Sequence, residues 1–369
     1  MINRREFIAA AGFWGALGIG SPSFADSDLQ ILTGQLLVTG FRGTLPSDPE
    51  VDQVRRYIEK GVVAGVMLLR RNIVSPEQLC RLNASLQSAA SEHPAIICID
   101  QEGGQVTRLG SYNGFMPWMS AADMAISGRN DKDVLAYYTQ RADEISAVGV
   151  NLNLAPVVDL NVNPFNPVIG SKGRAFGHHV ADVVRFAELF IRAHRTAGVR
   201  TCLKHFPGHG SSFGDSHDGS ADISETWSPE EISPFERLVR AGLADMIMNA
   251  HVLNKHLSDD PWMPTSLSRR SVDEIRDGLN FTGPIISDDM QMGAITNLVS
   301  PTDASVAAIR AGNSLLIYSN FKTMYPIRSI AEVNERLIRA MKDDELSKDD
   351  VVAHAQRAGT FRASLVNRF

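Results

Sequence analysis

Beyond residue 26, eight short apolar segments alternate with longer segments of helical periodicity, and this alternation constrains the fold more than any other feature. The apolar segments are rich in β-branched residues, as buried strands are. They lie at residues 35–41, 65–69, 95–100, 150–160, 201–206, 245–252, 284–288 and 314–318. Eight strand–helix units in about 300 residues predict a single (β/α)8 barrel of the TIM type, with a doubly wound open sheet as the alternative.

The helical segments between these strands are long enough for the crossovers that parallel strands need. They lie at residues 50–60, 76–90, 131–148, 180–197, 228–241, 271–279 and 302–311. Another helical stretch covers residues 325–341, and Ser347 is expected to cap the helix after it, because Asp350 follows three positions later. We expect these C-terminal helices to pack outside the barrel. No Pro- or Ser-rich linker divides residues 26–369, which indicates one domain.

The first 25 residues have the features of an export signal. Two arginines at positions 4 and 5 precede an apolar run at residues 7–20, and the small residues Ser23 and Ala25 suit signal peptidase. The paired arginines favour the twin-arginine route, and hence a periplasmic or otherwise exported protein. A membrane anchor is the alternative, but 14 residues with several glycines are short for a span of about 20. No stable membrane insertion is therefore expected after cleavage.

Charge and cysteine content narrow the class of partner. The net charge is −6, and no run of Lys or Arg is longer than two, so nothing indicates a nucleic-acid or anionic membrane surface. The three cysteines, Cys80, Cys98 and Cys202, are an odd number, and two lie in apolar segments, which favours packing over a disulfide framework. We expect a monomer that binds a neutral or modestly charged small substrate.

Polar residues follow five of the predicted strands. Active sites of TIM barrels collect at the carboxyl ends of the strands, so these residues are candidates for one common site. They are Asp100, Asp159 with Asn161, Lys204 with His205, His251, and Asp288 with Asp289.

The longest of these stretches follows the fifth strand. Lys204 and His205 lead into a loop rich in glycine and serine that ends in Asp215-Ser216-His217, and its proline and glycines exclude regular structure. Asp215 can accept a hydrogen bond from one ring nitrogen of His217 and raise the basicity of the other. The stretch therefore predicts a catalytic histidine on a movable loop.

Two consecutive acids, Asp288 and Asp289, end the seventh strand. Side chains alternate along a strand, so only one of them can face the barrel axis. A carboxylate aimed into a closed pocket can form an ester with an electrophilic carbon, as the nucleophile of a retaining glycosidase does. The loop at residues 207–217 holds no glutamate to act as the acid, which leaves His217 as the proton carrier. From this segment alone, a helix N-cap role for Asp288 is an equal alternative.

Together these segments resemble the bacterial β-N-acetylhexosaminidases of glycoside hydrolase family 3. The resemblance covers most of residues 30–320. It rests on Asp100-Gln101-Glu102-Gly103-Gly104-Gln105-Val106 with Arg108, Asn161-Val162-Asn163-Pro164, Arg174-Ala175-Phe176-Gly177, Lys204-His205-Phe206-Pro207-Gly208-His209-Gly210, Asp215-Ser216-His217 and Ser287-Asp288-Asp289. It implies a (β/α)8 barrel that removes terminal β-linked N-acetylglucosamine with retention of configuration.

The resemblance also implies individual roles. Asp288 matches the nucleophile, His217 the acid/base and Asp215 its partner. Five residues match positions that hold the hydroxyl and acetamido groups of the sugar, namely Asp100, Arg108, Arg174, Lys204 and His205. No metal and no cofactor are expected. The substrate is expected to carry a terminal N-acetylglucosamine and to derive from peptidoglycan fragments or chitin-type oligosaccharides.

One segment departs from the family pattern. Where relatives commonly carry an acid after Ala-Gly-x, this chain reads Ala311-Gly312-Asn313-Ser314. We expect a contact near the pocket floor to be weaker or replaced, which affects substrate preference more than reaction type.

Three other functions fit parts of the pattern. A metal-dependent hydrolase of the same barrel class could take its ligands from His205, His209, His217, His251 and Asp288, although the first strand ends in Gly40-Phe41-Arg42 without a histidine pair. A non-catalytic glycan-binding protein would bind sugar without turnover. A phosphorylase is the third alternative, because a histidine acid/base repels phosphate less than a carboxylate does.

Overall fold

The computed structural model describes residues 25–321 and 326–369. Apart from Ala25, the predicted export signal lies outside the described residues. The strands, in chain order, are β1 (Leu37–Thr39), β2 (Gly65–Leu68), β3 (Ile96–Ile99), β4 (Leu152–Asn153), β5 (Arg200–Thr201), β6 (Leu203–Phe206), β7 (Ala221–Asp222), β8 (Ile247–Asn249), β9 (Val252–Leu253), β10 (Ile285–Asp289) and β11 (Leu315–Tyr318).

Nine of these strands form one parallel sheet that closes into a barrel. Its order is β5-β4-β3-β2-β1-β11-β10-β8-β6. Only Cys202 separates β5 from β6, so the two are halves of one barrel strand: β5 pairs with β4, and β6 pairs with β8. The barrel therefore has eight positions, and all eight predicted strands are confirmed. The short strands β7 and β9 pair separately beside it.

The α-helices cover the outside of this barrel. They are α1 (Asp26–Gly34), α2 (Pro49–Glu59), α3 (Pro76–Gln87), α4 (Ala121–Ile126), α5 (Asp131–Ala147), α6 (Val180–Thr196), α7 (Ser233–Arg240), α8 (Arg269–Asp273), α9 (Gly293–Thr296), α10 (Pro301–Ala311), α11 (Ser329–Lys342) and α12 (Lys348–Ala363). The predicted (β/α)8 barrel with C-terminal helices packed on it is confirmed.

Several elements are shorter than predicted, and the sequence gives the reason. The strand predicted at 150–160 is regular only over β4, since Pro156 has no N–H for a ladder. The helix predicted at 228–241 begins as a 3-10 turn, and Pro234 sits in the first turn of α7. The helix predicted at 271–279 is divided into α8 and a π-helical turn at Glu274–Gly278.

The last helix, α12, also closes the end of the barrel opposite the predicted site. Ser347 caps it as predicted, accepting a hydrogen bond from the Asp350 N–H. Phe361 and Leu365 belong to the same buried cluster as the side chains inside the barrel. Arg362 donates to the carbonyl of Pro94, just before β3. The C-terminal residues therefore cover the N-terminal ends of the strands and leave the other end open.

The cysteines pack as predicted. Cys98 and Cys202 are buried inside the barrel, Cys80 is partly buried on α3, and all three are free thiols. Among the helices of the described residues, none is long and apolar enough to cross a membrane.

Candidate active site

A cavity of about 150 Å³ opens at the carboxyl ends of the barrel strands. It brings together seven of the eight predicted site residues; the eighth, Asp215, lies directly behind His217. The predicted residues that line it are Asp100, Arg108, Arg174, Lys204, His205, His217 and Asp288. A second cavity of about 300 Å³ adjoins it and shares Asp100, Arg108, His217 and Asp288 with it.

Asp288, the predicted nucleophile, lies at the end of β10 and faces both cavities. The Asp289 N–H donates to Asp288 Oδ1 at 2.8 Å. Burial alone would raise the pKa of Asp288, but the neighbouring histidines outweigh it and, with this hydrogen bond, lower the pKa to about 2. These histidines are His205, His251 and His217. Asp288 is therefore an ionised carboxylate over the whole neutral range, as a nucleophile must be.

The carboxylate of the neighbouring acid, Asp289, is hydrogen-bonded to other residues of the protein. Its carboxylate accepts hydrogen bonds from the hydroxyl and the N–H of Ser319 and from the N–H of Gln291, the last at 3.1 Å. Burial raises the pKa of Asp289 to about 6, and the negative charge of Asp288 adds to the rise. Asp289 thus ties β10 to the end of β11, and Asp288 keeps the freer carboxylate.

His217 and Asp215 form the predicted pair. His217 Nδ1 lies 2.7 Å from Asp215 Oδ1, and the same oxygen accepts the His217 N–H at 2.9 Å. Burial works to raise the pKa of Asp215, but the bonds from His217 prevail and lower it, so it stays a carboxylate. Because Nδ1 is engaged with Asp215, Nε2 is the nitrogen left to exchange a proton. The imidazole is 57% exposed, which leaves it accessible from the cavity mouth.

Five acidic and basic side chains form a connected network in the wall of the cavity. Glu102 accepts from Arg174 Nε at 2.7 Å and Nη2 at 2.8 Å, and Lys204 Nζ lies 2.6 Å from its Oε1. Lys204 also contacts Asp100 at 2.9 Å, and Asp100 contacts Arg108 at 3.4 Å.

The buried members of this network hold their charges. Burial opposes ionisation of Glu102, but Arg174 and Lys204 outweigh it and hold its pKa well below the usual range. Burial would likewise lower the pKa of Lys204, yet Asp100 and Glu102 raise it above its ordinary value. Lys204 therefore keeps its positive charge beside Asp100 in the cavity lining.

His205 is oriented by a buried carboxylate. Its Nδ1 lies 2.7 Å from Asp159 Oδ2, and its Nε2 lies 3.2 Å from Arg174 Nη2. An arginine side chain can only donate hydrogen bonds, so Nε2 of His205 is the acceptor. Nδ1 therefore carries the hydrogen and donates it in a hydrogen bond to Asp159. Asp159 also accepts the backbone N–H groups of His205 and His209, at 3.1 and 2.9 Å. One carboxylate therefore orients the ring and holds the start of the loop that leads to His217.

Sequence reasoning did not single out Glu102 or Ser216. Glu102 stands two residues after Asp100 in a motif already identified, so its position was visible, but its pairing with Arg174 depends on loops 72 residues apart. Ser216 Oγ lies 3.1 Å from His209 Nε2, which makes His209 a support of the loop. His251 is held by Ser266 and the Asp289 carbonyl and does not line the cavity.

The segment at 311–314, which departs from the family pattern, does not make the expected contact near the pocket floor. Asn313 and Ser314 are fully buried just before β11 and are not among the residues that line either cavity. Asn313 donates to the carbonyls of Ser266 and Ala308. The departure is therefore accommodated by packing at the start of the strand, because the cavity lies at its other end.

Three of the histidines proposed as metal ligands, His205, His209 and His217, line the cavity, but they are not arranged around a common point. Within residues 25–321 and 326–369, no group of three or more His, Cys, Asp or Glu side chains has the arrangement of a metal site. His205 and His217 each bind their own aspartate, and His209 binds Ser216.

Comparison with known proteins gives a consistent result. Residues 30–360 match the family described as the glycosyl hydrolase family 3 N terminal domain. Beta-hexosaminidase from Xylella fastidiosa (strain M23) is 33% identical over 289 residues, which cover 76% of this chain and 82% of that protein. Beta-hexosaminidase A from Pseudoalteromonas piscicida is 28% identical over 344 residues. This match covers 87% of the present chain but only 56% of the length of that protein.

Among solved structures, a glycoside hydrolase family 3 beta-N-acetylglucosaminidase from Paenibacillus sp. str. FPU-7 superposes with a TM-score of 0.82 at 30% identity. The superposition covers 93% of this chain and 63% of that one. The family match spans nearly the whole barrel and includes every residue of the cavity described above. The chain therefore belongs to glycosyl hydrolase family 3.

Proposed function

We propose that the chain is an exo-acting, retaining β-N-acetylglucosaminidase with Asp288 as nucleophile and His217 as acid/base. One observation carries the proposal: the ionised carboxylate of Asp288 and an exposed histidine backed by a carboxylate line the same cavity. The name of the Paenibacillus relative, a beta-N-acetylglucosaminidase, supports this sugar, and that of the Xylella relative, a beta-hexosaminidase, supports the wider class.

The chemistry follows as two displacements at the anomeric carbon. In the first, an Asp288 carboxylate oxygen attacks that carbon while His217 Nε2 protonates the leaving oxygen, so an ester forms as the glycosidic bond breaks. In the second, His217 Nε2 takes a proton from water, whose oxygen attacks the same carbon and releases Asp288. Asp215 keeps Nδ1 protonated and stabilises the imidazolium in both steps.

The charged wall would orient the sugar for this attack. Lys204 and Asp100 offer a donor and acceptors next to each other, which matches the paired hydroxyls of a pyranose. Arg108 lies 3.4 Å from Asp100 in the lining of the same cavity, so its guanidinium group is placed beside the sugar. Arg174 and His205 are held by Glu102 and Asp159, so their positions are fixed before substrate arrives.

The substrate source and the site of action are further parts of the proposal. We propose terminal N-acetylglucosamine of peptidoglycan fragments or chitin-type oligosaccharides, met outside the cytoplasm after export through the twin-arginine route. The paired arginines at 4 and 5 and the small residues before position 26 support export. Fractionation of the host cell and N-terminal sequencing test it: a mature protein beginning at Asp26 outside the cytoplasm agrees, and a full-length cytoplasmic protein contradicts it.

Turnover measurements separate this function from its three alternatives. The enzyme should hydrolyse an aryl β-N-acetylglucosaminide far faster than the matching β-glucoside, in phosphate-free buffer and after chelation. Loss of activity in chelator that zinc restores would indicate the metal-dependent hydrolase. Sugar 1-phosphate formed only with phosphate would indicate the phosphorylase, and binding without turnover would indicate a glycan-binding protein.

A further inference from the structure

A buried glutamate lies beneath the loop that carries His217, and the mechanism above does not use it. Glu231 lies in the 3-10 turn Pro229–Ile232 before α7 and is fully buried. Neither of its carboxyl oxygens makes a well-aligned hydrogen bond among the residues that the structure describes, and the nearby Ser211 and Ser228 offer only weak contacts to it. Burying a carboxyl group without good hydrogen bonds lowers the stability of the fold, so the presence of Glu231 beneath this loop indicates a functional role.

Glu231 packs directly against the start of the loop. Gly208 has a φ of +116°, and a Cβ at that position would lie 2.6 Å from Glu231 Cβ and 3.0 Å from Oε2. The hydroxyl of Ser211 faces the carboxyl group and is itself buried without a partner. Nearby, Trp227 Nε1 donates to the Pro207 carbonyl at 3.0 Å. The segment before α7 therefore supports the base of the loop through Trp227 and Glu231.

The same stretch of loop is also held by Asp159, which accepts the His209 N–H at 2.9 Å. The loop base thus contacts two carboxyl groups, Asp159 through a hydrogen bond and Glu231 through close packing. Burial, with the charge of Asp159, raises the pKa of Glu231 to about 7 against the weaker pull of Ser211 and Ser228. The other titratable side chain at the loop base, His209, has its pKa lowered to about 4 by burial and so carries no charge to offset a second carboxylate.

The loop base is connected to the catalytic histidine by a short path. His209 Nε2 lies 3.1 Å from Ser216 Oγ, and Ser216 immediately precedes His217. The carbonyls of Ser216 and His217 accept the N–H groups of Ala294 and Gly293, at 3.1 and 3.0 Å. A displacement of residues 208–211 would therefore reach His217 through His209 and Ser216.

We propose that Glu231 is a positioning residue, which in its protonated form holds the base of the loop and on losing its proton releases it. The neutral carboxyl group packs against Gly208 and Ser211. The carboxylate is repelled by Asp159 and must gain water, which requires the loop base to move outward and takes His217 with it. The role in catalysis rests on the function proposed above, whereas the loop movement itself does not.

Proteolysis tests the loop movement without reference to activity. Phe213 is 73% exposed on the loop, and Trp262 is 75% exposed on a separate loop. Chymotryptic cleavage after Phe213, divided by cleavage after Trp262 in the same sample, should rise about tenfold from about pH 5.5 to about pH 8.5, with a midpoint near 7. Glu231→Gln should hold the low ratio throughout, while Glu230→Gln, an exposed neighbour, should follow the natural chain. A ratio that does not change with pH in the natural chain overturns the proposal.

Activity provides the second readout. For an aryl β-N-acetylglucosaminide, the alkaline fall in kcat/KM should move to higher pH by at least about one unit in Glu231→Gln and stay in place in Glu230→Gln. An unchanged fall in Glu231→Gln overturns the positioning role. If Glu231→Gln does not fold, Glu231→Met serves instead, with the same flat proteolysis ratio expected. An inactive natural chain that still shows the pH-dependent ratio would refute the proposed function and leave the loop movement intact.

Discussion

Replacing Glu102 with glutamine should destabilise the protein far more than any surface ion pair does. Glu102 has only 5% of its side chain exposed and neutralises two cations that are buried as deeply, Arg174 at 8% and Lys204 at 2%. Breaking a buried pair by removing one partner costs about 3–5 kcal/mol. Lys204 keeps Asp100, so the loss falls mainly on Arg174, and glutamine still offers one oxygen to it. We therefore expect a loss of about 3 kcal/mol in the free energy of unfolding.

Urea denaturation at neutral pH measures this loss, with Glu188→Gln as the matched control. Glu188 pairs with Arg192 one helical turn away on the surface, where such a pair contributes about 0.3–0.5 kcal/mol. The pKa of Glu102 is lowered on folding, so its contribution is present above its unfolded value, about 4.3, and declines as the pH falls. The difference between Glu102→Gln and the natural chain should therefore shrink in acid.

The same variant should raise KM for an aryl β-N-acetylglucosaminide, because Arg174 loses the carboxylate that fixes its position beside His205. Equal stability of Glu102→Gln and Glu188→Gln would refute the reasoning, since it would mean that the two buried cations do not need this anion. A stability difference that grows as the pH falls would refute the assigned charge of Glu102.

Three further outcomes are expected. Asp288→Asn should lower kcat by at least about 10³-fold with little change in unfolding midpoint, and retention of activity would remove it as nucleophile. His217→Ala should slow substrates with poor leaving groups by about 10²-fold or more and affect activated aryl glycosides less; equal losses would make His217 a positioning residue. Phe361→Ala, in the cluster that closes the far end of the barrel, should cost about 3–5 kcal/mol in unfolding free energy at unchanged kcat/KM. A changed KM in that variant would show that the closed end influences the site.

The barrel was predictable because its signal is local. Each strand is a short β-branched run bounded by breakers, and eight of them separated by crossovers favour closure. The division of the fifth position into β5 and β6 was not predictable, because it reflects where the backbone pairing passes from β4 to β8. The role of α12 in closing the barrel was not predictable either. Periodicity indicates a helix, but the contact of Phe361 and Leu365 with the side chains inside the barrel depends on where the barrel ends.

Contacts within the site were predictable where the two residues are close in the sequence, and less so where they lie on different loops of the barrel. Asp215 and His217 pair within two residues, so their bond follows from the sequence. The Glu102–Arg174 pair joins loops that only barrel closure brings together. The prediction that Asn313 lies near the pocket floor was wrong, because a family pattern gives a position along the chain but not the end of the strand at which that position lies.

Mass spectrometry of a trapped intermediate tests the central claim most directly. The claim is that Asp288 forms a covalent ester with the sugar while His217 carries the proton. Incubation with a slow 5-fluoro-N-acetylglucosaminyl fluoride, followed by proteolysis, should give one labelled peptide with the sugar on Asp288, and proton NMR should show the β-anomer as first product. A label on Asp289, or no label together with an α-anomer, would contradict the account.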